Sequence, residues 1–251
     1  AGAFWRTGQE QDLGGRRVVM DEEILCGSVD VRALLRAELA YAEAELVRLT
    51  ERQARVLRIL GGRKRAVIAG GAGTGKTLIA VEKARQLAAA GQAVLLLCYN
   101  RPLADVLAHS LANTPNLTVM SYHQLCEQRI DLVRRQSGQD LLAEAAQSYP
   151  GHGDQHKFEV QMPFALALAN EALPENLYDS VIVDEAQDFS DEYWFGVETL
   201  LKDPNDGAFY LFTDRNQAIY RRDAKLPIED EPFHLTANCR NTAPIHTLAY
   251  G

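Results

Sequence analysis

The chain has 251 residues, enough for one large or two modest domains with a real core. Its 47% hydrophobic and 24% charged residues are ordinary for a soluble globular protein, and no apolar run reaches the ~18 residues that a membrane helix needs. A formal charge of −8 is unlike that of a histone-type binder, yet it leaves room for a local basic track.

Cys26, Cys98, Cys126 and Cys239 are scattered without a Cys-x-x-Cys pair, so a disulfide scaffold or zinc site is not expected and a reducing cytoplasm is. Nothing resembles a signal peptide, and no membrane partner is expected. The sequence begins Ala-Gly-Ala and stops at Ala249-Tyr250-Gly251 inside what reads as a starting helix, which suggests a piece of a longer protein.

Residues 1–20 are rich in Gly and Arg and read as a linker, and apolar residues then recur at helical spacing from Val31 to Leu49. A further helix is expected from Thr50, which with Gln53 forms a capping-box pattern. Beyond it strands and helices alternate. Strands are expected at 65–69, 93–98, 117–121, 180–183, 208–212 and 233–235, and helices at 76–90, 102–111, 123–134 and 163–172. The polar, Gly- and His-rich stretch 147–156 reads as a loop, despite the metal-like spacing of His152, Asp154 and His156. Such alternation predicts an α/β fold with a mostly parallel sheet covered by helices on both faces.

Ligands of these sheets bind beyond the carboxyl ends of strands. Two motifs fall there. Gly70-Gly71-Ala72-Gly73-Thr74-Gly75-Lys76-Thr77 matches the P-loop pattern in full. Its glycines, Gly70, Gly73 and Gly75 among them, let the backbone curl so that successive N–H groups, with Thr74, face phosphate oxygens. Lys76 is then expected on the β- and γ-phosphates and the Thr77 hydroxyl on Mg²⁺. The second motif, Asp184-Glu185-Ala186-Gln187-Asp188, follows the β-branched run Val181-Ile182-Val183. Two carboxylates at the end of a buried strand are costly unless a cation or a reacting group uses them. Asp184 suits the Mg²⁺, and Glu185 suits activation of the attacking water.

Asp-Glu-Ala-Gln-Asp also resembles the second motif of superfamily 1 helicases of the UvrD/Rep type, and other segments follow in that family's order. Gln53 is similar to its adenine-reading glutamine. Cys98-Tyr99-Asn100-Arg101-Pro102-Leu103-Ala104 resembles the segment that lines the single-strand track, and Ser121-Tyr122-His123-Gln124-Leu125 resembles its Thr-Phe-His segment. Thr213-Asp214-Arg215-Asn216-Gln217-Ala218-Ile219-Tyr220 is similar to the Gly-Asp-x-x-Gln-x-Ile-Tyr motif, and Leu235 to Asn241 is similar to the motif after it.

The resemblance implies a RecA-like ATP-binding domain with ATP and Mg²⁺ as cofactors, working as an ATP-dependent translocase on single-stranded nucleic acid, DNA before RNA. It implies that Gln217 senses, and Arg240 reaches, the γ-phosphate, and that Asn100, Arg101, Tyr122, His123 and Arg222 contact the strand. Two positions depart from the family. Cys239 stands where a Tyr stacks on adenine, and Arg221-Arg222 stand where a Trp often stacks on a base.

The domain expectation is a linker and helix over 1–49 and a RecA-like domain over 50–251, with a short helical insertion at about 124–175. The second RecA-like domain of such a machine has no counterpart here, and a nuclease fused upstream is compatible with the pattern. The alternative reading is a regulatory or scaffolding ATPase module that binds nucleotide without translocating.

Overall fold

Strand residues at alternate positions point to opposite faces of a sheet, and this chain uses both faces for its core. The computed structural model describes residues 51–214 and 226–235. Its first described element is helix α1 (Glu51–Leu60), followed by β1 (Arg65–Gly70), α2 (Lys76–Ala89), β2 (Val94–Cys98), α3 (Arg101–Ser110) and β3 (Leu117–Ser121). A helical stretch comes next, with α4 (Tyr122–Ser137), α5 (Leu141–Ser148) and α6 (Met162–Ala172). Then come β4 (Ser180–Asp184), α7 (Asp191–Glu198), β5 (Ala208–Thr213) and β6 (Phe233–Leu235).

The six strands form one sheet in the order β3-β2-β4-β5-β1-β6, and every adjacent pair is parallel. The α/β expectation therefore holds. All carboxyl ends lie on one edge, so Gly70, Cys98, Ser121, Asp184 and Asp214 share that edge. Register places Cys98 opposite both Asp184 and Ser121. Strand β5 separates the glycine-loop strand from the acidic strand.

Strands β2, β4 and β5 are buried along their whole length, as two-sided coverage requires. Val67, Leu95, Leu97, Val181, Val183, Phe209 and Leu211 pack with residues of α4 to α7 on one face. Ala66, Ile68, Leu96, Ile182, Tyr210 and Phe212 pack with α1, α2 and α3 on the other. Each large apolar side chain buried this way contributes roughly 1.5–3 kcal/mol.

The helices start where local chemistry caps them. The Asn100 side chain accepts from the Leu103 N–H, with Pro102 in the first turn of α3. Ser121 and Gln124 form a reciprocal capping box at α4, and the Asp140 carboxylate accepts from the Ala143 N–H at α5.

Three expectations need correction. The stretch 147–156 is not one loop, because α5 runs to Ser148 and a helical turn begins at Asp154. Nor does the helix at Pro163 begin there. A turn over Lys157–Gln161, with the Met162 N–H bonded to the Lys157 carbonyl, leads directly into α6. This wider spacing brings the chain to Pro163 in a first turn, where its missing N–H costs nothing. Helix α7 was not foreseen, although its buried Tyr193, Trp194, Gly196 and Val197 do recur at helical spacing. The stretch 1–49 and Thr50, hence the proposed capping-box partner of Gln53, lie outside the described residues.

Candidate nucleotide and metal site

The glycine loop joins β1 to α2, and its geometry depends on residues without side chains. A Cβ on Gly70 would stand 2.5 Å from Thr74 Oγ1 and 2.9 Å from Leu235 Cβ. Gly75 has φ +83°, the left-handed region, and a Cβ there would stand 1.9 Å from Gln53 Nε2. Gly75 is also the N-cap of α2, with no side-chain cap and no acidic residue in the first turn. That leaves the positive end of a 14-residue helix facing the strand edge, an anion-binding arrangement.

Lys76 is buried and folded over this loop. Its Nζ donates to the carbonyls of Gly70 (2.9 Å) and Gly71 (3.2 Å) and lies 3.4 Å from Asp214 Oδ2. Buried Gln53 reaches the same loop from α1, donating from Nε2 to the Thr74 carbonyl at 3.4 Å. Helix α1 is held there by Lys83 of α2, whose Nζ donates to the Leu60 carbonyl (3.3 Å) and sits 4.8 Å from the centre of the Tyr210 ring.

Asp184 ends β4 and is fully buried. Neither of its oxygens meets a protein donor at hydrogen-bonding geometry. Burial, and then the charge of Glu185, push its pKa up to about 6. The Thr77 hydroxyl, the Glu185 N–H and Lys76 offset that only in part. A buried carboxylate whose two oxygens make no well-formed hydrogen bond, facing a threonine hydroxyl beside a phosphate loop, fits a hard divalent cation with oxygen ligands. Thr77 and Asp184 are the residues that would hold Mg²⁺. Burial, then the charges of Asp184 and Glu185, also raise the neighbouring Cys98 thiol, so it stays protonated and is not a nucleophile.

Glu185 is half-buried and adopts φ 53°, ψ 47°, left-handed for a non-glycine residue. Its Oε2 accepts from Gln187 Nε2 (2.7 Å), and Gln187 Oε1 accepts from the Asp214 N–H (2.9 Å). Sequence reasoning named the acidic pair but gave Gln187 and Asp214 no part in the site. Their signal was position, because each belongs to a motif that follows a strand at the same sheet edge.

The residues assigned to nucleic acid separate into two kinds. Asn100 and Arg101 are exposed at the start of α3, Asn100 as its cap and Arg101 within 4.0 Å of Asp105. Tyr122 is a correction, since it is 0% exposed and stacks on Tyr193 with ring centres 4.2 Å apart. A ring so enclosed is a core element, not a strand contact. His123 is half-buried, and burial lowers its pKa against the opposing pull of Glu127, so it is a neutral ring near pH 7. It makes edge contacts with the exposed rings of Tyr99 (5.8 Å), named above only within the track segment, and Phe158 (5.6 Å), which the sequence reading missed. Gln217, Arg222 and Arg240 lie outside the described residues.

No group of three or more His, Cys, Asp or Glu side chains poised for a metal occurs among the described residues, so His152, Asp154 and His156 do not form one. No helix among them is long and apolar enough to cross a membrane. A comparison with curated proteins finds no match. Residues 53–223, more than half of the 251, match the family described as an AAA domain. The chain belongs to that family, and it is a nucleotide-binding P-loop ATPase domain of RecA-like α/β fold.

Proposed function

We propose that the chain is the ATP-binding half of a superfamily 1, UvrD/Rep-like translocase that couples ATP hydrolysis to movement along single-stranded DNA. One observation carries the reading. Strand β2 pairs in register with β4, so the segment Tyr99-Asn100-Arg101 leaves the sheet beside Asp184-Glu185. Nucleotide chemistry and an exposed aromatic and cationic surface thus share one edge. The ordered motif resemblance supplies the rest.

In this reading the loop N–H groups and Lys76 bind the phosphates, and Gln53 meets the adenine. Thr77 and Asp184 hold Mg²⁺, which when bound neutralises charge on the phosphate oxygens. Glu185 orients the attacking water and accepts its proton at a carboxylate oxygen. Gln217 and Arg240 act on the γ-phosphate, and a second RecA-like domain of the same protein completes the site. Asn100, Arg101, His123 and Arg222 contact the strand. Two buried free thiols, Cys98 and Cys126, suit a cytoplasmic location.

Binding of a fluorescent single-stranded oligonucleotide, followed by anisotropy across a salt series, tests the coupling. A strand track requires affinity that falls with salt, with a log–log slope of about −0.7 per phosphate contact. Absence of strand binding, alongside intact nucleotide binding, would leave the regulatory or scaffolding module as the better reading. Turnover by this chain alone is expected to be slow and weakly stimulated by the strand.

A further inference from the structure

We propose that Gln187 is a positioning residue for Glu185, and that it ties the orientation of that carboxylate to the exit of β5. The inference rests on Glu185 activating water, as proposed above. The Gln187 amide has one orientation consistent with its two neighbours. Only its Nε2 can donate to Glu185 Oε2 (2.7 Å), and only its Oε1 can accept from the Asp214 N–H (2.9 Å). A glutamine that satisfies a carboxylate and a backbone amide at once fixes the distance between them.

Glu185 needs such a tether. Its left-handed backbone, φ 53° and ψ 47°, is a conformation that persists where surrounding contacts over-determine it. Its side chain has three rotatable bonds, and a water-activating carboxylate must be held within ~0.5 Å of its working position. The bond from Gln187 occupies Oε2 and directs the carboxylate, while the second oxygen is the one that can take a proton.

The tether reaches further than its own turn. Asp214 donates its N–H to Gln187 while its carboxylate lies 3.4 Å from Lys76 Nζ. Lys76, Asp214, Gln187 and Glu185 therefore form an unbroken polar chain from the phosphate-binding ammonium to the water-activating carboxylate. Asp214 also leads into the segment that carries Gln217. Gln187 is the one side chain in this series that contacts both the Glu185 carboxylate and the β5 exit.

The test is a double-mutant cycle read by single-turnover hydrolysis of Mg-ATP, with protein in excess so that a slow chemical step is measurable. Gln187→Met keeps the volume and removes the amide. It should lower the hydrolysis rate about 10–100-fold, with nucleotide affinity unchanged and only a modest fall in the urea midpoint from the unpaired Asp214 N–H. In a Glu185→Gln background the same substitution should cause no further loss, because a residue acting through Glu185 has nothing left to position. Gln187→Asn is too short to span both groups and should behave like Gln187→Met. In the nucleotide-free protein, Gln187→Met should also speed hydrogen exchange at the Asp214 amide.

An undiminished rate in Gln187→Met, or an equal fold-loss in both backgrounds, overturns the inference. A faster rate overturns it too, since the amide would then be restraining the carboxylate. Wild-type rates in Glu185→Gln would instead overturn the assignment of Glu185 itself. The two failures are thereby distinguished.

Discussion

Lys76 Nζ lies 3.4 Å from Asp214 Oδ2, with the two side chains only 6% and 1% exposed. The Lys76 ammonium, proposed above to bind phosphate, is thus neutralised from inside the protein, by the end of the strand that stands between the glycine loop and the acidic motif. Carbonyls of Gly70 and Gly71 take its remaining hydrogens. A nucleotide bound as proposed would exchange those partners for phosphate oxygens.

Breaking that pair should be costly. Asp214→Ala leaves a buried ammonium with carbonyl partners only, and removal of one member of such a pair costs about 3 kcal/mol. Urea unfolding of the nucleotide-free variant should show that loss, and saturating ATP should recover part of it by supplying phosphate charge. A variant as stable as wild type would mean that Lys76 is neutralised by other groups.

Asp184 gives a pH-dependent signature. Its pKa is raised to about 6 by burial first and Glu185 second, so the folded protein retains a proton that the unfolded chain has already released above about pH 4. The folded state binds more protons across that window, and the stability of the metal-free protein therefore falls as pH rises from about 4 to about 6. Asp184→Asn should remove this slope, raise stability at neutral pH by roughly 3 kcal/mol, and abolish the Mg²⁺ dependence of nucleotide binding. Thermal denaturation of both proteins across the pH range checks it. A lower melting temperature for the Asn variant at pH 7 would contradict the metal-site assignment.

The glycine loop allows a controlled comparison. Gly75→Ala and Gly91→Ala both place a side chain at a left-handed φ, +83° and +84°, each costing about 1–2 kcal/mol. Only at Gly75 would the new Cβ meet the Gln53 amide, since Gly91 faces open space. Gly75→Ala should therefore weaken ATP binding and destabilise more than Gly91→Ala, which should bind ATP normally. Equal calorimetric affinities for the two variants would separate Gln53 from the loop.

Tyr122 and Tyr99 test how the aromatic cluster divides its work. Tyr122→Ala empties a fully enclosed site and should cost about 3–5 kcal/mol of stability. Tyr99→Ala removes a ring that is 37% exposed and edges onto Phe189, and should cost less stability than Tyr122→Ala. If that ring stacks on a base, the same change should weaken single-strand binding by about 1–3 kcal/mol. Denaturation and anisotropy on both variants provide the measurement.

These residues also show what was legible in the sequence. The P-loop and acidic pentad were readable because phosphate and metal chemistry demand fixed residue types at fixed spacing beside a buried strand. The strands were readable because Val94–Cys98 and residues 181–183 are continuous apolar runs. Tyr122 misled because its motif position says nothing about which way a ring points, and α4 turns it into the core. Gln187 and Asp214 carried no role because their bond joins residues 27 apart, a pairing set by β4 and β5 lying side by side. Helix α7 escaped notice because it has only 8 residues and the exposed Phe195 interrupts the stripe of Tyr193, Trp194 and Val197.

The proposed site places the phosphates of a nucleotide on Lys76 and its loop, with Mg²⁺ on Thr77 and Asp184. Calorimetric titration of ATP into the wild-type chain and into Lys76→Ala, each with and without Mg²⁺, tests it most directly. The expected result is Mg²⁺-enhanced binding by the wild type that disappears in Lys76→Ala. Unchanged affinity in the variant would contradict the site.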